Sequence, residues 1–166
     1  MDPINAVIGI IQLVIAIILA VVALYIGFSV LGKITKGIDE EKEIAKGNTA
    51  IGILVASVFI AIGIVVQSGV SGISTGISQA LKVGLLSTSG ILIIIVSIVQ
   101  LLLGIVLAIV AIYLALNILD KLTKEIDEFA ELKKGNVAVA LEMAGVIITV
   151  AIIIQSGVLG ITAALI

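Results

Sequence analysis

The chain has 166 residues, of which 61% are hydrophobic and 12% are charged, and its mean hydropathy is +1.44. Soluble domains typically carry about 45–50% apolar and 25% charged residues, so this composition excludes an ordinary soluble fold. Cysteine and histidine are both absent, which removes disulfides, thiol nucleophiles, imidazole bases and the commonest transition-metal ligands. The composition predicts an all-α integral membrane protein that is not an enzyme and uses no cofactor or metal.

Four long apolar runs follow one another along the chain, at 4–31, 49–72, 90–119 and 137–166. Each exceeds the roughly 18 residues that indicate a membrane span. At about 1.5 Å per residue they make helices of roughly 36–45 Å, enough to cross a hydrocarbon layer of about 30 Å with tilt or overhang. The sequence therefore predicts four transmembrane helices.

Polar residues match when residue n is compared with residue n + 88. The matched positions are Gln12 and Gln100, Tyr25 and Tyr113, Lys33 and Lys121, Thr35 and Thr123, Lys36 and Lys124, 38–40 and 126–128, 46–48 and 134–136, and 67–70 and 155–158. We therefore predict two tandem two-helix repeats, 1–72 and 90–166, joined by an outer Gly/Ser-rich linker at 73–89 that contains a short helical turn. Since each repeat has two spans, both copies enter the membrane from the same side, in parallel topology.

Eight of the nine lysines lie in the segments 32–48 and 120–136. Lysine-rich loops stay cytoplasmic, so these segments are expected inside, and both termini and 73–89 outside. Acidic residues alternate with the lysines, which argues against a nucleic-acid partner.

Apolar residues recur at helical spacing in both inner segments, so each is expected to be amphipathic. Such a segment can lie on the membrane surface or extend the preceding span as a stalk or elbow, and we favour the second. The glycine-asparagine pairs at 47–48 and 135–136 predict a helix end followed by an N-cap, with Asn48 and Asn136 capping the next spans. A cytoplasmic protein partner could dock on these segments.

One ionisable residue, Glu142, lies within a predicted span, about 9 Å along the helix from its inner end, where its counterpart in the first copy is Leu54. A charge there is costly unless it faces protein, water or the interface. It is either a proton or cation site, or a side chain that reaches the headgroups or pairs with Lys133, and we favour the second.

Four glutamines, two in each copy, fall in the outer third of the spans. They are Gln12, Gln67, Gln100 and Gln155. Amide side chains in lipid form hydrogen bonds between helices, each of about 0.6–2 kcal/mol. We favour this structural role over a polar path or a headgroup site.

Small residues form a packing face on the second and fourth spans. They are Gly52, Ala56, Ser57 and Ala61 in the second, and Ala140, Ala144, Gly145 and Thr149 in the fourth. Small side chains let helix backbones approach closely. We expect these two helices to form the central contact, with each other or with neighbouring subunits, and the protein to be a homo-oligomer.

The start of each small-residue span, Asn48-Thr49-Ala50 and Asn136-Val137-Ala138, follows a charged inner segment. In this the chain resembles the YjfL-like integral membrane proteins, a domain of unknown function called DUF350. The resemblance implies a plasma-membrane location and association with envelope-stress proteins of the phage-shock and band-seven type, and it implies no catalytic residues. The leading hypothesis is a self-assembling, non-enzymatic structural or envelope-maintenance protein; the alternative is a small channel or transporter with a polar Gln/Glu path.

Overall fold

The computed structural model describes residues 3–35, 37–123 and 126–165, and this part of the chain is helical with no strand. Three residues of the predicted segments 32–48 and 120–136 lie outside the described part: Lys36, Lys124 and Glu125. Residues 1–2 and 166, at the chain ends, lie outside it too. The helices are α1 (Pro3–Ile34), α2 (Glu40–Ala45), α3 (Thr49–Val83), α4 (Thr88–Leu122), α5 (Glu128–Lys133) and α6 (Val137–Leu165).

Four of these helices are long and apolar enough to cross a membrane, which confirms the predicted all-α class and the four spans. The candidate spans are Gly9–Ser29, Thr49–Val83, Thr88–Lys121 and Val137–Ile161. A helix satisfies its backbone hydrogen bonds internally, which the hydrocarbon interior demands. The 35 residues of α3 make about 52 Å of helix, longer than the hydrocarbon layer is thick.

The connection between the two halves is shorter than the sequence predicts. Helix α3 continues to Val83, so most of the expected linker at 73–89 is helical and the turn is confined to residues 84–87. Hydroxyl groups in this extension donate one turn back, Thr75 to the Ser71 carbonyl at 3.0 Å and Ser78 to the Ser74 carbonyl at 2.9 Å. The Gly/Ser/Thr composition, typical of loops, is therefore compatible with a helix whose hydroxyls bond its own backbone.

The two inner segments have the same local structure. In each, a long helix ends, the chain turns, and a six-residue helix follows, α2 after α1 and α5 after α4. Asp39 and Asp127 cap these short helices, accepting hydrogen bonds from the backbone amides of Lys42 and Ala130 at 3.1 and 2.9 Å. The result is an elbow and not one continuous amphipathic helix.

Helix α3 is the centre of the bundle. It packs against α1, α4 and α6, and its contact with α6 is the most extensive in the molecule, whereas α1 and α4 hardly touch. Glycines allow the close approaches: Gly69 of α3 faces the Leu101 side chain of α4, and a Cβ on Gly104 of α4 would lie 2.9 Å from Val158 of α6. Helix α1 therefore lies at one edge of the bundle, with most of its surface uncovered.

Candidate functional site: the elbows and the polar residues of the spans

The described residues of the two elbows, 35 and 37–48 in the first and 123 and 126–136 in the second, lie together at one end of the bundle, which we call the lysine-rich end. Gly47 and Gly135 both have φ = 83°, the left-handed conformation that ends a helix most easily at glycine. The next residue then caps a long helix: Asn48 Oδ1 accepts from the Ala50 amide at 3.1 Å, and Asn136 Oδ1 accepts from the Ala138 amide at 3.1 Å.

Asn48 also joins the two elbows. Its Nδ2 donates to the backbone carbonyl of Leu132 at 3.0 Å and lies 3.4 Å from that of Lys133. Each asparagine amide also donates to a glutamate of its own elbow, Asn48 to Glu43 Oε2 at 3.2 Å and Asn136 to Glu131 Oε2 at 2.8 Å. Among the described residues, only Asn48 donates to the other elbow as well. The equivalent asparagines therefore share a capping role but differ in what their amide groups hold.

Each elbow contains an ion pair between a glutamate and the lysine three residues later. Lys46 Nζ lies 2.7 Å from Glu43 Oε1, and Lys134 Nζ lies 2.6 Å from Glu131 Oε1. Hydrogen bonds from the lysine and the asparagine hold the pKa of both glutamates below 4.5. Both carboxylates therefore remain charged at neutral pH and help to fix the asparagine that caps the next helix.

Two buried carboxyl groups are a feature that the sequence reasoning missed. Glu40 and Glu128 are both buried, and each accepts a hydrogen bond from the hydroxyl of a threonine five residues earlier, Thr35 or Thr123. The signal was present, since the Thr-x4-Glu spacing recurs after 88 residues. It was not recognised because glutamates in a lysine-rich segment are normally solvated.

Burial raises the pKa of Glu128 above 4.5, and the neighbouring negative charges of Asp120 and Glu142 raise it further. Its Oε2 atom is buried and has no hydrogen-bond donor among the described residues. Loss of hydration penalises the charged form of a carboxyl group. Protonation of Glu128 would remove that penalty.

Glu142, the charged residue predicted inside a span, is exposed on α6 near its lysine-rich end. Its charge is close enough to Glu128 to contribute to the raised pKa of that residue. The carboxylate therefore faces out of the single chain, on a different side of the helix from the buried Met143 and Ile147.

The four glutamines occupy different environments. Gln100 is buried, and its Nε2 donates to the Val158 carbonyl of α6 at 3.3 Å, a bond between two helices. Gln12 and Gln155 are half-buried, and Gln67 is exposed on α3.

A polar groove lies between α1 and the part of α3 that is distant from the lysine-rich end. It has a volume of about 530 Å³ and is lined by Gly9, Gln12, Leu13, Val70, Ser71, Ser74 and Thr75. The hydroxyl groups of Ser71 and Thr75 already donate to the backbone of α3, but their oxygens remain acceptors for a polar ligand or water.

The predicted packing residues do not all lie on one buried stripe. Ser57, Ala61, Ala140 and Ala144 are buried, Gly52 is half-buried, and Ala56, Gly145 and Thr149 are exposed. The spacing was consistent with a single contact, but these residues cover two sides of each helix. One side is used inside the chain and the other is open.

Chemically, the described residues offer hydrogen bonds and charge but few reactive groups. No group of three or more Asp or Glu side chains in the described ranges is arranged to hold a metal ion. The best-defined polar arrangements are the two elbows, the groove between α1 and α3, and the open polar side of α6.

The fold defines a multi-pass helical membrane protein. A family model described as "Domain of Unknown Function (DUF350)" matches the chain twice, at residues 5–105 and 94–166. The chain belongs to this family, which confirms the resemblance found in the sequence. Searches of curated proteins and of solved structures found no match.

Proposed function

We propose that the protein is a non-enzymatic component of the plasma membrane that self-assembles and has a structural or envelope-maintenance role. The observation that carries the proposal is the open side of α6, where Gly145, Thr149, Ser156 and Gly157 are exposed within a span. Small and hydroxyl-bearing residues are enriched where membrane helices pack against one another. Where such residues face lipid, side chains cover the helix backbone poorly. Where they face another helix, the two helices can pack closely.

The scarcity of reactive groups supports a non-enzymatic role. Catalysis by acid and base groups needs at least two of them placed around one pocket. In the described ranges the buried carboxyl groups Glu40 and Glu128 are each held by a threonine hydroxyl, which suits a structural role in the elbows.

The elbows supply the surface for a cytoplasmic protein partner in this proposal. The lysine content favours the cytoplasmic side for this end, which places the termini and the 84–87 turn outside. Ile44 and Ile126 are exposed there beside the charged side chains of Lys42 and Asp127. Exposed apolar side chains within a charged surface suit binding of either a protein or the headgroup region.

The self-assembly part is tested by counting chains in native membranes. The protein carrying one fluorophore per chain is taken up in membrane-derived nanodiscs at low expression, and photobleaching steps are counted in single particles. We expect most particles to bleach in two or more steps. A distribution dominated by single steps would contradict self-assembly.

A small channel or transporter is the second candidate, and the groove that contains Gln12 and Ser71 favours it. Its test is solute and ion flux into liposomes that contain the purified protein, compared with Glu142→Gln and Gln12→Leu variants. Flux that disappears in either variant would replace the structural proposal. Absence of flux above that of empty liposomes agrees with the structural role.

A further inference from the structure

We infer that the open side of α6 binds α1 and α3 of a second copy of this chain, repeating between chains the contact that joins the two halves within one chain. The inference rests on the proposed self-assembly and specifies its surface and register. Each position in the first half has an equivalent position 88 residues later in the second half.

Within the chain, one side of α3 packs against α4. Gly69 receives the side chain of Leu101, and a Cβ on Gly69 would lie 3.1 Å from the Leu101 Cβ. Val65, one turn earlier on α3, packs near Gly104 of α4. Leu101 and Val65 are accordingly only 1% and 2% exposed. This contact joins the second helix of the first half to the first helix of the second half.

The equivalent residues of the other half are uncovered. Gly157 corresponds to Gly69 and has nothing within 4 Å of where a Cβ would be. Leu13 corresponds to Leu101 and is 60% exposed, and Ile153 corresponds to Val65 and is 65% exposed. The glycine notch on α6 and the leucine on α1 are therefore both present, and both lack the partner that their counterparts have.

A second pair of faces shows the same relation. Helix α6 makes its largest contact with α3 and buries Ala144 and Ala151. Their counterparts on α3, Ala56 and Gly63, are exposed, and nothing lies within 4 Å of a Cβ at Gly63. The small-residue face through which α6 contacts α3 therefore has an equivalent face on α3, and that equivalent face is uncovered.

The two open faces lie on different helices of the same chain. Each is equivalent to one side of a contact that the chain makes internally. At one edge of the bundle, the open face of α6 is equivalent to the face through which α3 contacts α4 and α6. At the other edge, the open faces of α1 and α3 are equivalent to the faces through which α4 and α6 contact α3. Contacts between different surfaces of identical chains build rings when the rotation closes and open arrays when it does not. The occupant that fits the α6 face is therefore a second copy of this chain, and its Leu13 enters the notch at Gly157.

Disulfide cross-linking tests this register directly, because the chain has no cysteine of its own. Leu13→Cys and Gly157→Cys are combined in one chain and oxidised in native membranes. We expect products of two or more chains, in steps of about the 17.0 kDa chain mass, on a non-reducing gel. The pair Gly69→Cys and Leu101→Cys is the positive control and should close within one chain. The two Cβ positions are 3.1 Å apart, so a small separation of the helices brings them into the range of about 3.5–4.5 Å that a disulfide needs.

The matched negative control is Val14→Cys combined with Gly157→Cys. Val14 lies next to Leu13 at the same depth, and its counterpart Leu102 is 51% exposed, so the inferred contact leaves it facing away from the notch. Equal cross-linking of the two pairs would overturn the inference. Absence of the Leu13–Gly157 product in particles that bleach in several steps would overturn it too, while the proposed self-assembly stands. Single-step bleaching would overturn both.

Gly157→Leu gives a second measurement that needs no cross-link. The notch is empty in the single chain, so the substitution leaves the fold of the chain intact but fills the space meant for Leu13. We expect the number of bleaching steps to fall to one in most particles. An unchanged step count with Gly157→Leu would contradict the inference.

Discussion

Replacing Asn48 by alanine tests the structural role of the elbows. The substitution removes the side-chain oxygen that caps α3 and the amide that donates to the Leu132 carbonyl at 3.0 Å. Asn136→Ala is the matched control, since it removes the equivalent cap of α6 but no bond described between the elbows. Both variants lose an asparagine hydrogen bond to a glutamate of the same elbow.

The expected magnitudes follow from these bonds. Loss of an N-cap costs about 1 kcal/mol, and this loss is common to both variants. The bond between the elbows adds about 1 kcal/mol for Asn48→Ala. The Leu132 carbonyl also accepts from the Gly135 amide at 3.0 Å and keeps that bond in the variant, so only the bond from Asn48 is lost. Asn48→Ala should therefore lower the free energy of unfolding by about 2 kcal/mol, and Asn136→Ala by about half as much.

The assay is SDS titration of the purified protein in mild detergent, followed by the circular dichroism of the helices. Asn48→Asp separates the two contributions, because aspartate retains the cap but has no amide to donate. It should lose the bond between the elbows and keep the cap. Equal destabilisation by Asn48→Ala and Asn136→Ala would refute the role of Asn48 in joining the elbows.

Three further predictions concern pH, packing and topology. Burial raises the pKa of Glu128 above 4.5, so the folded protein binds more protons than the unfolded chain, and the free energy of unfolding should fall as the pH rises from about 4.5 through the raised pKa. Glu128→Gln should remove that slope in SDS titrations at several pH values, and a slope equal to that of the wild type would contradict it. Gly69→Leu should destabilise the chain by about 1–3 kcal/mol through overpacking against α4, whereas Gly157→Leu, in open space, should change the stability of the single chain little; equal losses in detergent would be the contrary result. A cysteine replacing Glu41 should react with a membrane-impermeant maleimide only after the cells are opened, and one replacing Leu86 should react in intact cells, while the reverse pattern would invert the proposed orientation.

The spans were predictable because length and hydropathy alone determine whether a helix can cross the bilayer. The elbows were partly predictable, since glycine followed by asparagine indicates both a helix end and the next cap. The extension of α3 to Val83 was not, because serine and threonine favour turns until they bond their own helix, as Ser78 does. The burial of Glu128 also needed the fold, since it depends on how α5 packs against α6.

The division of the small residues into an inner and an open side could not be read from spacing either. Ser57 and Gly145 are equivalent in the two halves, but only Ser57 is buried. Which of them is covered depends on the position of its helix in the bundle. Helix α3 packs against α1, α4 and α6, whereas α6 leaves the side that carries Gly145 uncovered among the described residues. The tandem arrangement in parallel topology remains a prediction of the sequence.

Native mass spectrometry of the protein extracted in its own lipids tests the central claim of self-assembly most directly. Self-assembly predicts a complex whose protein mass is a whole multiple, two or greater, of the 17.0 kDa chain. A protein mass of one chain, from membranes extracted without harsh detergent, would contradict the account.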